Sequence, residues 1–119
     1  MNGRDSPRLA VSFYVTASGR EPVREWLSQL DRSALRVVSE DLRTLQFGWP
    51  LGMPLVRKLE PGLWEMRSNI RAGIVRVLFT IADADAVLVH AFVKKSQALP
   101  QDAISLARKR MKEIQRGQK

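Results

Sequence analysis

The second half of the sequence contains three segments with the side-chain patterns of β-strands. They span residues 63–70, 74–81 and 86–94, and short turn-forming stretches separate them. Because successive side chains of a strand point to opposite faces, the apolar rows of the first two segments leave Arg67 and Arg76 together on the other face. The third segment is apolar on both faces, which is typical of a strand inside a sheet. The pattern predicts an antiparallel meander with arginines on an open face.

The first half supplies the elements that would cover the apolar face of this sheet. Residues 9–15 are rich in β-branched and aromatic side chains, which predicts a first strand. Pro22 suits the first turn of a helix, and Ser33 is a suitable N-cap for a second helix with an amphipathic stripe. A loop rich in glycine and proline and a short strand at 55–59 lead into the meander, and a last helix follows Pro100.

These elements predict an α+β fold with helices mainly on one sheet face. We expect an antiparallel-rich sheet of about four to five strands, an N-terminal helical hairpin and a C-terminal helix. A chain of 119 residues fits a single compact domain over residues 1–119, with 1–7 and 116–119 frayed.

The net charge of +8 lies almost entirely in the second half of the chain. Residues 1–56 hold seven basic side chains against six acidic ones, whereas residues 57–119 hold thirteen against six. This asymmetry favours a surface that faces a polyanion, such as RNA, or an acidic protein partner. The alternative is a solvated face that only keeps the protein in solution.

The composition also excludes several kinds of site. The sequence contains no cysteine and a single histidine, so disulfides, thiolate metal sites and multi-histidine metal sites are excluded, and no metal or cofactor is predicted. No apolar run reaches the roughly 18 residues of a membrane span, and the N-terminus lacks the apolar core of a signal peptide. We therefore expect a cytoplasmic protein without a membrane partner.

Arg67 and Arg76 are the natural pair for binding a phosphate, because a guanidinium meets two phosphate oxygens at once. Their alternative interpretation is a surface salt bridge, for example with Glu65. Lys94 and Lys95 are adjacent at a strand end and point to opposite faces, so one of them looks toward the arginines, where it could assist proton transfer. The alternative is a strand end that only keeps the protein in solution.

Two further side chains are possible acids or bases. His90 has an unperturbed pKa near neutrality but lies in an apolar strand, where a structural role is the alternative. Glu65 is either a base or an ion-pair partner of the arginines. Trp49, in the loop after the second helix, is a candidate for stacking on a base. Other basic side chains are candidate RNA contacts: Lys58, Arg71, Lys94, Arg108 and Arg110.

These residues resemble the RelE/ParE superfamily of toxins, and most closely its HigB-like, phage-derived branch. Two signatures carry the resemblance, an aromatic-Glu-x-Arg motif at 64–67 and a Phe-x-Lys-Lys-x-Gln-x-x-Pro motif at 92–100. Shorter similarities lie at 58–60, 76–79 and 107–110, and the whole resemblance covers roughly residues 8–115.

The resemblance implies a RelE-like fold and the toxin of a type II toxin–antitoxin pair. Such toxins are ribosome-dependent mRNA endonucleases that work without metal, and a helix-turn-helix antitoxin neutralises them. The family's catalytic positions correspond to Arg67, Arg76 and Lys95. The aromatic or histidine that members often carry near the C-terminus is absent here, so the final acid or base is unassigned. Two alternatives stay open, a ParE-like gyrase poison and a non-catalytic binding module for RNA or protein.

Overall fold

The computed structural model describes residues 6–94 and 100–117, and within them it contains five strands and three helices. The strands are β1 (Ala10–Phe13), β2 (Val56–Glu60), β3 (Leu63–Ile70), β4 (Gly73–Ala82) and β5 (Asp85–Lys94). The helices are α1 (Pro22–Leu27), α2 (Arg32–Gly48) and α3 (Gln101–Gly117). The predicted α+β architecture, with an N-terminal helix pair and a C-terminal helix, is confirmed.

The strands form one mixed sheet in the order β1-β5-β4-β3-β2. From β2 to β5 each strand is antiparallel to the next, as the meander pattern predicts. β1 instead lies parallel to β5, with Ala10 opposite Asp85, so the first and last strands are neighbours. β5 is therefore an interior strand, as its apolar sequence indicated.

The larger core lies between the sheet and the N-terminal helices. Val38 and Leu45 of α2 are fully buried against the apolar rows of β3 and β4, which include Met66, Val77 and Phe79. These rows are the ones that the alternation placed on the helix-facing side. This layer also fixes which side chains of β3 and β4 point the other way.

The second sheet face is not open along its length, because α3 packs on it. Ala107 and Met111 of this helix form a smaller core with Leu63, Leu78 and Val89 of the sheet. Two of the three helices lie on one face, as expected, but the expectation that the other face is open is wrong. Apolar side chains of the sheet alternate with the basic ones on this face, and they attract the apolar stripe of α3.

The start of α2 also differs from the sequence-based expectation. Asp31, rather than Ser33, is the N-cap: its carboxylate accepts a hydrogen bond from the Ala34 amide at 2.8 Å. The Ser33 hydroxyl donates to the same carboxylate, and these bonds, the Ala34 amide first, lower the pKa of Asp31. None of the helices within residues 6–94 and 100–117 combines the length and apolar character that crossing a bilayer requires.

Candidate functional site

A buried carboxylate lies at the centre of the basic side chains on the α3-facing side of the sheet. Glu65 is fully buried, and its Oε2 accepts a hydrogen bond from Nη1 of Arg76 at 2.8 Å. Its other oxygen, Oε1, lies 3.2 Å from Nη2 of Arg57. Glu65 therefore joins β2 and β4 through the two arginines that flank it.

The strand registers explain why these side chains meet. Arg67 and Arg76 are direct partners across β3 and β4, and Arg57 is the partner of Glu65 across β2 and β3. Directly opposite side chains share one face of a sheet. We refer to Arg57, Glu65, Arg67 and Arg76 as the arginine cluster.

Arg57 was not among the residues predicted from the sequence, and a β-bulge brings it to the arginine cluster. The hairpin starts regularly with Glu60 opposite Leu63, and a regular continuation would place Lys58 opposite Glu65. The register instead shifts between Lys58 and Glu60, so that Arg57 faces Glu65. Lys58 turns to the opposite face, where its ammonium lies 5.8 Å from the centre of the Trp64 ring.

The environment of Arg76 differs from the expected one. Arg76 is fully buried, so the expectation that it emerges on an open face is wrong. The suggested ion pair with Glu65 exists, but it lies in the interior and not on the surface. A buried charge is stable only when it is paired and hydrogen-bonded, and this requirement explains why β3 carries a carboxylate beside two arginines.

The arginine cluster contains three guanidinium groups and one carboxylate, so its four side chains carry a formal excess of positive charge. Arg57 keeps 38% of its side-chain surface exposed, and Arg67 is also partly exposed. These two arginines can therefore reach an anion from solvent while Arg76 cannot. Glu65 offers little capacity as a base, since each of its oxygens already faces an arginine nitrogen.

Arg67 also lines a cavity of about 220 Å³ at the outer edge of β3. The cavity lies where the pairing of β2 with β3 ends: β2 begins at Val56, opposite Met66, and the Arg67 amide donates to the Leu55 carbonyl oxygen at 2.8 Å. Its other lining residues are Asp41 of α2, Pro54 and Leu55 of the preceding loop, and Asn69 of β3. An open cavity thus adjoins the arginine cluster.

β5 places a row of side chains on the same side of the sheet as the arginine cluster. Phe92 is opposite Arg76, His90 is opposite Leu78, and Lys94 is opposite Ile74. His90 is half-buried, and burial lowers its pKa, with the positive charge of Arg110 as a smaller cause. The imidazole is therefore neutral at physiological pH. Lys94 shares this face, whereas Lys95, a predicted catalytic residue, lies outside the described residues.

The remaining basic residues lie away from the arginine cluster. Arg108 makes two hydrogen bonds of 2.8 Å to the Glu60 carboxylate, and Arg110 donates to the Val89 carbonyl oxygen at 2.8 Å. Arg71 lies in the turn between β3 and β4 and is exposed. The structure therefore brings Arg67, Arg76 and Glu65 together, and it distributes the other candidate RNA contacts over several surfaces.

Trp49 has a packing role in the larger core. Its ring meets those of Trp64 and Phe79 edge-on, with centroids 5.3 Å and 5.8 Å apart. Such aromatic contacts stabilise a core beyond the area that they bury. The ring therefore packs at the end of the α2 layer.

Comparison with known proteins places the chain in a family. Residues 25–112 match the family described as phage-derived protein Gp49-like (DUF891). No curated protein matches the sequence significantly. The matched range contains α2, the whole of β2 to β5 and the arginine cluster. The chain therefore belongs to the phage-derived Gp49-like family, a RelE-like family of toxin modules.

Proposed function

We propose that this chain is the toxin of a type II toxin–antitoxin pair, of the HigB-like branch, and that it cleaves mRNA on the ribosome. The observation that carries the proposal is the arginine cluster, which combines an excess of positive charge with two partly exposed arginines, Arg57 and Arg67. The toxin-like family and the basic second half of the chain support it.

In the proposed reaction the 2′-hydroxyl of the RNA attacks the adjacent phosphorus, and the bond to the 5′-oxygen breaks. The products are a 2′,3′-cyclic phosphate and a 5′-hydroxyl. Negative charge grows on the phosphoryl oxygens in the transition state, and preorganised cations stabilise that charge. Arg67 and Arg57 are placed to bind these oxygens, because both reach solvent beside the buried Glu65.

Arg76 acts in this mechanism as a positioning residue. It is fully buried and holds Glu65 at 2.8 Å, and Glu65 in turn faces Arg57. A side chain whose orientation is fixed by such a bond loses less entropy when it binds the substrate. The buried pair of Arg76 and Glu65 therefore orients the Arg57 side chain before the phosphate binds.

The reaction also needs a proton acceptor for the 2′-hydroxyl and a donor for the leaving 5′-oxygen. His90 is a candidate acceptor, because its lowered pKa keeps the imidazole neutral and it lies on the same face as Arg76. Lys95 is the donor that the family resemblance implies, and Lys94 on the same face of β5 is the alternative.

The direct test is cleavage of a synthetic mRNA by the purified protein, with and without programmed ribosomes. We expect new 5′ ends only when ribosomes are present, and we expect the Arg67→Gln variant to cleave about a hundredfold more slowly. Arg36→Gln is the matched control, because it removes the same charge from an exposed position on α2. An intact mRNA alongside a folded wild-type protein would contradict the proposal.

Further assays on the same purified protein distinguish the alternative functions. A gyrase poison would leave mRNA intact and produce gyrase-dependent breaks in supercoiled DNA. A pure binding module would retain RNA without cutting it, and its variants would differ in the salt dependence of binding.

The partner that we propose is a helix-turn-helix antitoxin. An acidic or amphipathic segment of such a protein complements the exposed side of the arginine cluster. Co-expression with the neighbouring reading frame, followed by copurification, tests this partner. Purification of the chain alone, without toxicity to the host, would count against it.

A further inference from the structure

The cavity beside Arg67 has the composition of a site for a single ring system. Its volume of about 220 Å³ is smaller than the roughly 300–1,000 Å³ of sites for drug-sized ligands. Pro54 and Leu55 supply apolar contacts, and Asp41 and Asn69 supply polar groups. Apolar contacts beside a small number of polar groups are typical of sites for small ligands.

The polar groups of the cavity differ in what they can bind. The Asp41 carboxylate only accepts hydrogen bonds, whereas the Asn69 amide has both a donor and an acceptor. Guanine presents two adjacent donors, N1–H and the N2 amine, next to the acceptor O6. A carboxylate can therefore accept both donors while an amide donates to O6. Arg67 lines the same cavity.

We propose that this cavity binds an unstacked guanine base of the RNA, with Asp41 as the residue that determines the specificity. Single-stranded RNA is commonly recognised in this manner, through the hydrogen-bonding edge of a base that has left the stack. Adenine and cytosine present a ring nitrogen lone pair where guanine has N1–H, so both would face the Asp41 carboxylate unfavourably. Uracil offers one donor between two carbonyl oxygens and satisfies only one carboxylate oxygen.

This inference deepens the proposed function and rests on it for the RNA substrate. Arg67 belongs both to the arginine cluster and to the cavity. A nucleotide whose base occupies the cavity therefore lies against Arg67 as well as against Asp41 and Asn69. The base in the cavity would fix which bond of the mRNA lies at the arginine cluster, so binding and sequence preference would come from one contact.

The test measures binding of guanosine 5′-monophosphate and adenosine 5′-monophosphate to the purified chain by isothermal titration or NMR. We expect the guanine nucleotide to bind about tenfold or more tightly than the adenine nucleotide. The Asp41→Asn variant should lose this ratio. Glu40→Gln is the matched control, because it removes a carboxylate from the adjacent, exposed position of α2 that does not line the cavity.

Both variants lose one negative charge, so both should bind phosphate groups somewhat more tightly. Only Asp41→Asn should change the ratio between the two nucleotides. Equal affinity of the wild type for both nucleotides, or no binding of either, would overturn the inference, as would an equal change of the ratio in both variants. Because this readout needs no ribosome, a guanine preference with intact mRNA would refute the proposed function alone. Cleavage without a guanine preference would refute the cavity alone.

Discussion

Replacing Glu65 with glutamine removes the one carboxylate charge of the arginine cluster and keeps the size of the side chain. Arg76, its partner at 2.8 Å, is fully buried, so its charge stays in the interior without the compensation that Glu65 gave. Breaking a buried ion pair on one side costs about 3–5 kcal/mol. Arg57 is 38% exposed and is solvated in either case, so it adds little to this loss.

Such a loss is a large part of the free energy of unfolding of a small domain, which is about 5–15 kcal/mol. For a chain of this size it corresponds to a drop of about 12–20 °C in Tm. Urea denaturation followed by tryptophan fluorescence measures the change, and thermal unfolding followed by circular dichroism provides a second measurement.

A double variant distinguishes a buried charge from a simple packing defect. If the loss of the Glu65 charge beside the buried Arg76 guanidinium causes the effect, Glu65→Gln combined with Arg76→Met should be more stable than Glu65→Gln alone. Glu60→Gln is the matched control, because Glu60 pairs with Arg108 at 2.8 Å where both side chains are partly exposed. We expect only a small fraction of the Glu65 effect there. Equal losses for Glu65→Gln and Glu60→Gln would refute the reasoning.

Three further predictions concern single side chains. Arg57→Gln should slow mRNA cleavage at least about tenfold while changing the urea midpoint little, and a large loss of stability would contradict its role as a phosphate ligand. His90→Gln should flatten the decline of stability between about pH 7 and pH 5, because the wild-type imidazole, buried near Arg110, binds its proton more readily in the unfolded chain. Equal pH dependence in both proteins would refute that assignment. Trp49→Ala should cost about 3 kcal/mol in urea denaturation, because its ring packs edge-on against Trp64; a loss below about 1 kcal/mol would indicate a surface role.

The alternation of side chains was sufficient to predict the meander and the shared face of Arg67 and Arg76. Their direct pairing across β3 and β4 confirms that part. The same alternation could not reveal the burial of Arg76. The amphipathic stripe around Ala107 indicates that α3 packs against an apolar surface of the protein. It does not specify which face of the sheet provides that surface.

Two irregularities explain most of what the sequence did not predict about the site. The bulge between Lys58 and Glu60 exchanges the faces of Arg57 and Lys58, and no local pattern in the sequence marks it. A second register shift, opposite Leu78 and Phe79, changes the alternation of β5 just before His90. In each case the side chain's direction depends on pairing with a neighbouring strand, so it is decided by tertiary contacts.

The parallel pairing of β1 with β5 has a consequence for the order in which the molecule forms. The hairpins from β2 to β5 join neighbours in sequence, and each can close soon after its second strand is synthesised. β1 must wait for almost the entire meander, because Ala10 pairs with Asp85. Long-range closure of this kind slows folding, since chain entropy is lost before the contacts form. During synthesis on the ribosome, the outer edge of β5 therefore remains uncovered until the first strand of the chain returns to it.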